Sequence, residues 1–188
     1  IIENGHLLRG YKPVHWCLDC RSALAEAEVE YLDKTSTALD ARFEAVDSGE
    51  LYRRLEIREG GPVSVPIWTT TPWTLPANQA VALGARLPYV LVEAQLASGV
   101  SLLVLAEGLA EAALRRYGAL HSVTLARFEG ALLEGLMLRH PFFPREVPVI
   151  LADYVTLDAG TGAVHTAPAH GQADYQSGLR YKLPMDNP

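Results

Sequence analysis

Hydroxyl and aromatic side chains are concentrated in one short segment of the chain, residues 69–78, which we call the threonine peptide. Its sequence, TTTPWTLPAN, combines four threonines, a tryptophan and an asparagine with two prolines that stiffen the backbone. A strand does not need so many hydroxyls, and a turn gains nothing from an exposed indole. The composition therefore predicts one wall of a pocket, which would hydrogen-bond something small and polar while stacking on something flat.

A second segment, residues 160–175 with the sequence GTGAVHTAPAHGQADY, brings glycines and titratable side chains close together. Gly160 and Gly162 could let backbone amides approach a phosphate, or they could form a tight turn that leads into a buried strand. Neither glycine motif of the nucleotide-binding loops is complete. The tight turn is therefore favoured, and the chemistry is expected in the residues that follow.

His165, His170 and Asp174 in this second segment are all of ligand type, and three such side chains could hold a metal. Their positions argue against it, because His165 is predicted on a strand, His170 follows a proline in a turn, and no known metal motif is present. A serine hydrolase is equally unsupported, since the chain has no G-x-S-x-G elbow. Taken alone, His165 is most simply a buried histidine with a backbone partner.

Asp174 is predicted in the first turn of the last helix, which should begin near Gly171. A carboxylate in that position is favoured by the helix dipole by roughly 0.3–1 kcal/mol, so helix capping alone would explain it. It could equally lie at a cavity mouth and pair with a cation such as the ammonium group of an amino acid. The residues themselves leave both interpretations open.

The two cysteines of the chain, Cys17 and Cys20, form a Cys-x2-Cys pair, which is half of a tetrahedral zinc site. No second pair follows in the sequence. Two interpretations fit this pattern: a pair of reduced cysteines in a turn of a cytosolic protein, and a half site completed by residues outside this sequence.

Length and composition indicate one folded domain. A chain of 188 residues with 49% hydrophobic and 20% charged residues can bury a substantial core. No apolar run reaches the ~18 residues of a membrane span, and the chain starts with neither a methionine nor a signal sequence. Its net charge of −6 is unusual for a protein that binds nucleic acid by itself. We therefore expect a piece of a longer soluble protein, with most phosphate contacts elsewhere.

The elements that must position these residues are mostly short strands. Alternation of apolar and polar residues predicts one strand over 39–45 and another over 63–67, which runs into the threonine peptide. Further strands are predicted at 89–94, 100–105, 122–128, 147–152 and 163–166, and helices at 47–54, 107–117 and 171–182. Many short strands with few helices indicate a β-barrel or β-sandwich decorated by helices.

The threonine peptide and the segment 160–175 together resemble the signature peptides of the editing domain inserted into bacterial isoleucyl-tRNA synthetases. The resemblance extends over essentially the whole chain, including KPVHWC at 12–17 and ALAEAEVEY at 23–31. Related valyl and leucyl editing domains typically have an arginine where Thr71 stands, and they replace His165, so the resemblance is to the isoleucyl type.

The resemblance implies a mainly β fold with peripheral helices, namely a closed β-barrel formed by residues 34–188. Residues 1–33, with the Cys-x2-Cys pair, would be the stem that joins this barrel to the host synthetase. The activation motifs of such synthetases are absent from the sequence, so this piece is not expected to form an aminoacyl-adenylate.

The function implied by the resemblance is hydrolytic editing. A hydrophobic pocket distinguishes one methylene by only ~1–3 kcal/mol, and the rejection of valine by this enzyme family is the usual example of that limit. A second, smaller site would cleave the ester between valine and the terminal adenosine of tRNA(Ile), with valyl-adenylate as a further candidate substrate. The alternative is a non-catalytic module that positions the tRNA 3′ end.

The same resemblance implies the surroundings in which the domain works. Its expected partners are the 3′ end of tRNA(Ile) carrying valine and the rest of the synthetase chain, in the cytoplasm and without a membrane. No cofactor is expected in this domain, and zinc would concern only the full-length enzyme.

Individual roles also follow from the resemblance. Asp174 would hold the substrate ammonium, and His165 would occupy the space that the longer isoleucine side chain needs. Trp73 would pack near the terminal nucleotide, and Asn78 would support the threonine peptide or reach the substrate. The hydroxyls that would line the pocket and order a water are those of Thr69, Thr70, Thr71 and Thr74, with Thr70 the foremost candidate. No strong general base is evident, so catalysis would depend on a positioned water, which a hydroxyl of the terminal ribose could assist.

Overall fold

The computed structural model describes residues 2–7, 10 and 12–185 of the chain. The strands within these ranges are β1 His15–Cys17, β2 Ser22–Leu24, β3 Leu39–Ala45, β4 Val63–Thr69, β5 Ala80–Leu83, β6 Pro88–Leu96, β7 Gly99–Ala106, β8 His121–Glu129, β9 Met137–Arg139, β10 Glu146–Leu151 and β11 Ala163–Thr166. The α-helices are α1 Ser48–Arg54, α2 Glu107–Arg116 and α3 Gln172–Tyr181, and short 3-10 helices span Glu26–Glu28, Pro72–Ala77 and Gly130–Leu133. None of the helices in this part of the chain has the length and apolar character that a bilayer span requires.

Nine of the strands form one mixed sheet in the order β11-β5-β10-β9-β3-β4-β7-β6-β8. Most neighbours are antiparallel, but β5 pairs in parallel with β10, and β4 pairs in parallel with β7. Parallel neighbours cannot be joined by a tight hairpin. These two pairings therefore depend on packing between distant parts of the chain, and they bring the ends of β4 and β11 together.

The expectation of a closed β-barrel is wrong. Closure requires the two outermost strands to exchange backbone hydrogen bonds, but in the described part of the chain β11 pairs with β5 alone and β8 pairs with β6 alone. β11 lies against β4 without a hydrogen-bonded ladder. The space between those two strands contains the cavity described below, so side chains, and not a backbone ladder, lie between β11 and β4.

The main core is built from the inward-facing residues of the large sheet and from α1. Along β3, Phe43 and Ala45 are buried while Glu44 is exposed, as the alternation in the sequence predicts. A second group of buried side chains, including Leu105 and Ala113, lies between α2 and the hairpin β6–β7. Each large apolar side chain buried in this way contributes about 1.5–3 kcal/mol. The sheet behind the site is thus rigidly supported on both faces.

The strands and helices predicted from the sequence are confirmed, with bounds that agree within two residues. The predicted end of α2 is also confirmed, since Gly118 follows it with a φ of +67°. Four short strands, β1, β2, β5 and β9, were not predicted. Three of them have only three residues, and all four residues of β5 are buried, so none shows an alternation that can be recognised.

The N-terminal part of the chain forms a separate antiparallel hairpin, β1–β2, followed by an irregular segment that leads to β3. Hydrogen bonds between described residues connect this part to the site region. The side-chain amide of Gln172 donates to the carbonyl of Pro13 at 3.2 Å, and the Ser36 hydroxyl donates to the carbonyl of Thr70 at 2.7 Å. The division into a stem and a second unit at residues 33 and 34 stays a prediction. Positions 1, 8, 9 and 11 of that stem and 186–188 of the second unit lie outside the described residues.

Candidate functional site

A cavity of about 590 Å³ lies between the end of β4, the strand β11 and the start of α3. The predicted site residues that line it are Thr69, Thr70, Thr71, Trp73, Thr74, His165 and Asp174. Folding therefore brings together two distant segments, since Thr74 and His165 are in contact although they are 91 positions apart in the sequence. The volume is within the range of pockets for small ligands.

The threonine peptide leaves β4 at Thr69 and turns at once into the 3-10 helix Pro72–Ala77. Pro72 is the first residue of that helix, where a missing N–H costs no hydrogen bond. Thr69 Oγ1 accepts the N–H of Thr71 at 3.0 Å and lies 3.3 Å from Thr71 Oγ1. The carbonyl of Thr71 accepts both the N–H of Thr74 at 3.0 Å and the Thr74 hydroxyl at 2.9 Å. The threonines thus determine the local backbone as well as the polarity of the wall.

His165 is buried on β11, and its Nε2 lies 3.1 Å from Thr74 Oγ1. The Thr74 hydroxyl has one proton, which it donates to the carbonyl of Thr71, so it accepts from His165 and Nε2 carries the imidazole proton. The partner of the buried ring is thus a hydroxyl and not the backbone group expected for an isolated histidine. Nδ1 has no hydrogen-bond partner among the described residues. Burial, with smaller contributions from His140 and His170, lowers the pKa of His165 to about 4, so the ring is neutral at pH 7.

Asp174 lies half-buried in the first turn of α3, at the edge of the cavity. Its Oδ2 accepts the N–H of Ala167 at 2.9 Å, which leaves Oδ1 for a ligand. Burial raises the pKa of Asp174, and the hydrogen bond from Ala167 and the nearby His170 lower it in part. A half-buried carboxylate gains most from a cation that replaces its lost hydration. Asp174 thus lies in the first turn of α3 as predicted, but its Oδ2 bonds the N–H of Ala167, which precedes the helix, and the binding of a cation at Oδ1 stays a prediction.

The glycine turn at 160–162 forms another part of the cavity wall. Gly162 has a φ of +79°, and a Cβ there would lie 2.2 Å from the Cβ of Ala106, so only glycine fits. The carbonyl of Thr161 accepts the N–H of Ala106 at 2.8 Å, and the carbonyl of Gly162 accepts the Tyr89 hydroxyl at 2.6 Å. These contacts tie the turn to β6 and β7, as expected of a tight turn before a buried strand.

The other predicted site residues occupy three different environments. Thr70 is exposed at the edge of the cavity. Trp73 lines the cavity with 66% of its surface exposed, so one face of the indole is accessible. Asn78 is wholly buried outside the cavity lining, where its amide donates to the carbonyl of Ala80 at 2.8 Å. This position favours support of the threonine peptide over contact with a ligand.

Cys17 and Cys20 lie at the turn of the hairpin β1–β2 and do not line the cavity. The N–H of Cys20 donates to Cys17 Sγ at 3.3 Å, and this bond lowers the pKa of the Cys17 thiol. Structural zinc takes four ligands, and no group of three or more His, Cys, Asp or Glu side chains suited to a metal occurs in the described ranges. The two thiols therefore do not make a zinc site by themselves, and a half site completed elsewhere stays a prediction.

Sequence reasoning missed several side chains of the cavity wall, among them Trp68 and Tyr154. The Tyr154 hydroxyl lies 3.2 Å from Thr166 Oγ1, and the Ser177 hydroxyl donates to it at 3.4 Å. Burial raises the pKa of Tyr154, so the phenol stays protonated. The sequence does contain an indication of this part of the wall, because the segment 153–158, DYVTLD, introduces polar residues directly after the buried strand β10. Residues that follow a buried strand commonly line a site.

Comparison with known proteins gives the family. The family described as leucyl-tRNA synthetase, editing domain, matches residues 54–187. The isoleucine–tRNA ligase of Nitrosococcus oceani is 62% identical over 190 residues, and that of Thioalkalivibrio sulfidiphilus is 60% identical over 190 residues. Both alignments cover 100% of this chain and 20% of the relative. The chain thus spans about a fifth of the length of the curated relatives that it matches.

Solved structures with a similar fold include two editing domains of cytosolic leucyl-tRNA synthetases. The domain from P. knowlesi superimposes with a TM-score of 0.64 at 13% identity, over 77% of this chain and 62% of that chain. The domain from P. falciparum gives a TM-score of 0.65 at 11% identity, over 77% of this chain and 67% of that chain. At these identities the likeness shows the fold alone.

Proposed function

Because this chain belongs to the isoleucine–tRNA ligase family, in which it is the editing domain, we propose that it hydrolyses the ester joining valine to the 3′ end of tRNA(Ile). Valyl-adenylate is a second candidate substrate for the same site. The observation that carries the proposal is the single cavity faced by the carboxylate of Asp174, the buried ring of His165 and the hydroxyls of the threonine peptide. The carboxylate would face the ammonium group of an aminoacyl ester, the ring its apolar side chain, and the hydroxyls its ester group.

The ammonium group of the substrate is assigned to Asp174. Its Oδ2 is occupied by the N–H of Ala167, so the carboxylate is held in one orientation with Oδ1 available. A cation at Oδ1 would restore the solvation that burial removes from the carboxylate. Binding of the ammonium at this point would place the α-carbon and the side chain of the amino acid at a constant distance from the cavity walls, which is what selection by size requires.

Selection against isoleucine is assigned to His165. The ring is neutral at pH 7 and is held by Thr74, so it can act as a rigid, uncharged wall for a small apolar side chain. With a pKa near 4 it is also a weak base. Its contribution is therefore the shape of the pocket, and it does not remove a proton from water.

Placement of the attacking water is assigned to the threonine hydroxyls. Those of Thr69, Thr71 and Thr74 already bond within the peptide or to His165. The Thr70 hydroxyl takes part in none of these bonds and lies at the cavity edge, so it is the best candidate for contact with water or with the ester. Positioning of this kind lowers the barrier by reducing the entropy lost on the way to the transition state. A hydroxyl of the terminal ribose could assist the proton transfer.

The partners in this proposal are the 3′ end of tRNA(Ile) and the rest of the synthetase chain, in the cytoplasm. The exposed indole of Trp73 at the cavity edge can stack on the terminal base, and a base–aromatic stack contributes about 1–3 kcal/mol. Residues 1–33 would connect the domain to the host enzyme. The net charge of −6 supports phosphate contacts made mostly outside this chain.

The experiment that tests the proposal supplies the full-length ligase with valyl-tRNA(Ile) and, separately, with isoleucyl-tRNA(Ile) under single-turnover conditions. We expect valine to be released at least roughly 10-fold faster than isoleucine. The alternative, a non-catalytic module that positions the tRNA 3′ end, predicts no release of valine above the uncatalysed rate. A chelator added to the same assay separates a metal hydrolase, which would lose its activity, from the proposed mechanism, which would not.

A further inference from the structure

The loop 140–145, which joins β9 to β10, contacts the threonine peptide from outside the cavity lining. Nε2 of His140 lies 2.9 Å from the carbonyl oxygen of Leu75, and the guanidinium of Arg145 donates to the carbonyl of Pro76. Both carbonyls belong to the last turn of the 3-10 helix that follows Thr71. Leu75 is the next residue after Thr74, whose hydroxyl bonds His165, so the loop contacts the peptide directly beside the site.

The threonine peptide needs such contacts, because its own backbone can supply few. Pro76 has no N–H, so one donor is missing from the interior of a helix of only six residues. A 3-10 helix also has poorer hydrogen-bond geometry than an α-helix, and its last carbonyls have no partner within the helix. The Leu75 carbonyl accepts the N–H of Asn78, just after the helix, at 3.0 Å, and the contact with His140 uses the second acceptor position of the same oxygen.

The protonation state of His140 follows from its surroundings. Its Nδ1 faces the N–H groups of Phe142 at 3.3 Å and Phe143 at 3.1 Å, so Nδ1 is an acceptor and carries no proton. Nε2 then carries the proton and donates to Leu75. Burial lowers the pKa of His140, in agreement with a neutral ring. The rings of Phe43 and Phe142 meet it edge-on at 5.8 and 4.5 Å, which leaves the imidazole one orientation.

We propose that His140 is a positioning residue for the hydrolysis, whose Nε2–H holds the carbonyl of Leu75 and thereby keeps Thr74 within hydrogen-bond distance of His165. This inference rests on the proposed function of the cavity. His140 itself does not line the cavity, so it acts on the reaction through the position of the threonine peptide and not by contact with the substrate. Arg145 makes the second contact, one residue further along.

Two substitutions in the full-length ligase distinguish the contact made by Nε2 of His140 from the contacts made by its Nδ1. In His140→Gln the longer side chain can place an amide N–H near the position of Nε2, so the contact with Leu75 can be kept. In His140→Asn the shorter side chain can still accept from the N–H groups of Phe142 and Phe143, but it cannot reach Leu75. His121→Asn makes the same change at the exposed start of β8 and is the matched control.

The first readout is the hydrolysis of valyl-tRNA(Ile), with aminoacylation and thermal unfolding measured on the same proteins. We expect His140→Asn to lower kcat about 10-fold with KM nearly unchanged, and His140→Gln to recover most of that loss. The control should behave as the unsubstituted enzyme. Equal rates for the Asn and Gln variants, a change in KM alone, or losses that follow the unfolding temperature in both variants would each overturn the proposal.

The second readout does not depend on catalysis. Crystal structures of the full-length His140→Asn variant and of the unsubstituted enzyme would give the distance between Thr74 Oγ1 and His165 Nε2. We expect this distance to exceed about 3.5 Å in the variant, beyond hydrogen-bonding range. An unchanged distance overturns the positioning role. If the unsubstituted enzyme does not release valine at all, the proposed function fails, and the distance still decides the role of His140.

Discussion

The hydroxyl of Thr74 lies 3.1 Å from Nε2 of His165 and joins the threonine peptide, which follows β4, to β11, a strand that forms no ladder with β4. Because the hydroxyl gives its proton to the carbonyl of Thr71, it can only accept from the imidazole. One hydrogen bond therefore sets both the tautomer and the orientation of the ring. The size of the cavity next to it depends on that orientation.

Replacing Thr74 by valine tests this bond, because valine keeps the shape of threonine and removes the hydroxyl. The buried Nε2–H of His165 would lose its acceptor, at a cost of about 1–3 kcal/mol, and the ring would gain freedom to move. We expect the preference for valyl- over isoleucyl-tRNA(Ile) to fall about 10-fold or more in single-turnover deacylation. Thr124→Val on the exposed strand β8 is the control. An unchanged preference in Thr74→Val would show that the bond does not govern selection.

Removing the ring altogether should remove the selection against the longer side chain. In His165→Ala the cavity gains the volume of an imidazole, so an isoleucine side chain fits where only valine did before. We expect isoleucyl-tRNA(Ile) to be hydrolysed at a rate within about 10-fold of valyl-tRNA(Ile), since one methylene in an open apolar pocket supports little more discrimination. The measurement is release of each amino acid by the full-length enzyme. Retention of the cognate ester by this variant would contradict a size-selecting histidine.

The charge of Asp174 can be separated from its structural hydrogen bond. Asp174→Asn keeps an oxygen that can accept the N–H of Ala167 but removes the negative charge, whereas Asp174→Ala removes both. If the carboxylate binds the ammonium, both variants should lose deacylation of valyl-tRNA(Ile) by about 100-fold or more while aminoacylation is retained, since an ion pair with a half-buried carboxylate contributes several kcal/mol. Asp153→Asn, at an exposed position outside the cavity, is the matched control. Full activity of Asp174→Asn would assign the residue to helix structure alone.

Much of this site could be predicted from the sequence, because its chemistry is concentrated in two short segments. Residue type and spacing singled out His165, Asp174 and the threonine peptide as candidates, and their roles followed from the family resemblance. The structure places them around one cavity. Asn78 shows the limit of that reasoning. A polar side chain in the peptide could line the wall or lie beneath it, and only the 3-10 helix determines that it points into the core.

The features that escaped prediction depend on long-range packing. The polar segment that contains Tyr154 does not indicate which of its side chains enters the cavity, and His140 lies outside the cavity lining, where it contacts a carbonyl of the threonine peptide. The open form of the sheet, whose outermost strands β11 and β8 do not pair with each other, was likewise missed. The strand order depends on two parallel pairings whose partners are not adjacent in sequence. Neither the alternation of residues nor the turn residues in the sequence predict such pairings.

The neutral state of His165 predicts how the stability of the fold depends on pH. Its pKa is about 4 in the folded chain against 6.5 for the free side chain, so between these values the unfolded chain binds more protons. The stabilisation is complete above pH 6.5 and is lost as the pH falls towards 4, by about 3 kcal/mol for this residue. His140, whose pKa is also lowered, adds a loss in the same direction, and Asp174, whose pKa is raised by burial, opposes it. Urea unfolding of the chain at several pH values from 7.5 to 4 measures the total change in the free energy of unfolding. The same measurement on His165→Gln isolates the contribution of this ring. A pH dependence of equal steepness in His165→Gln would mean that the imidazole is not neutral and buried as described.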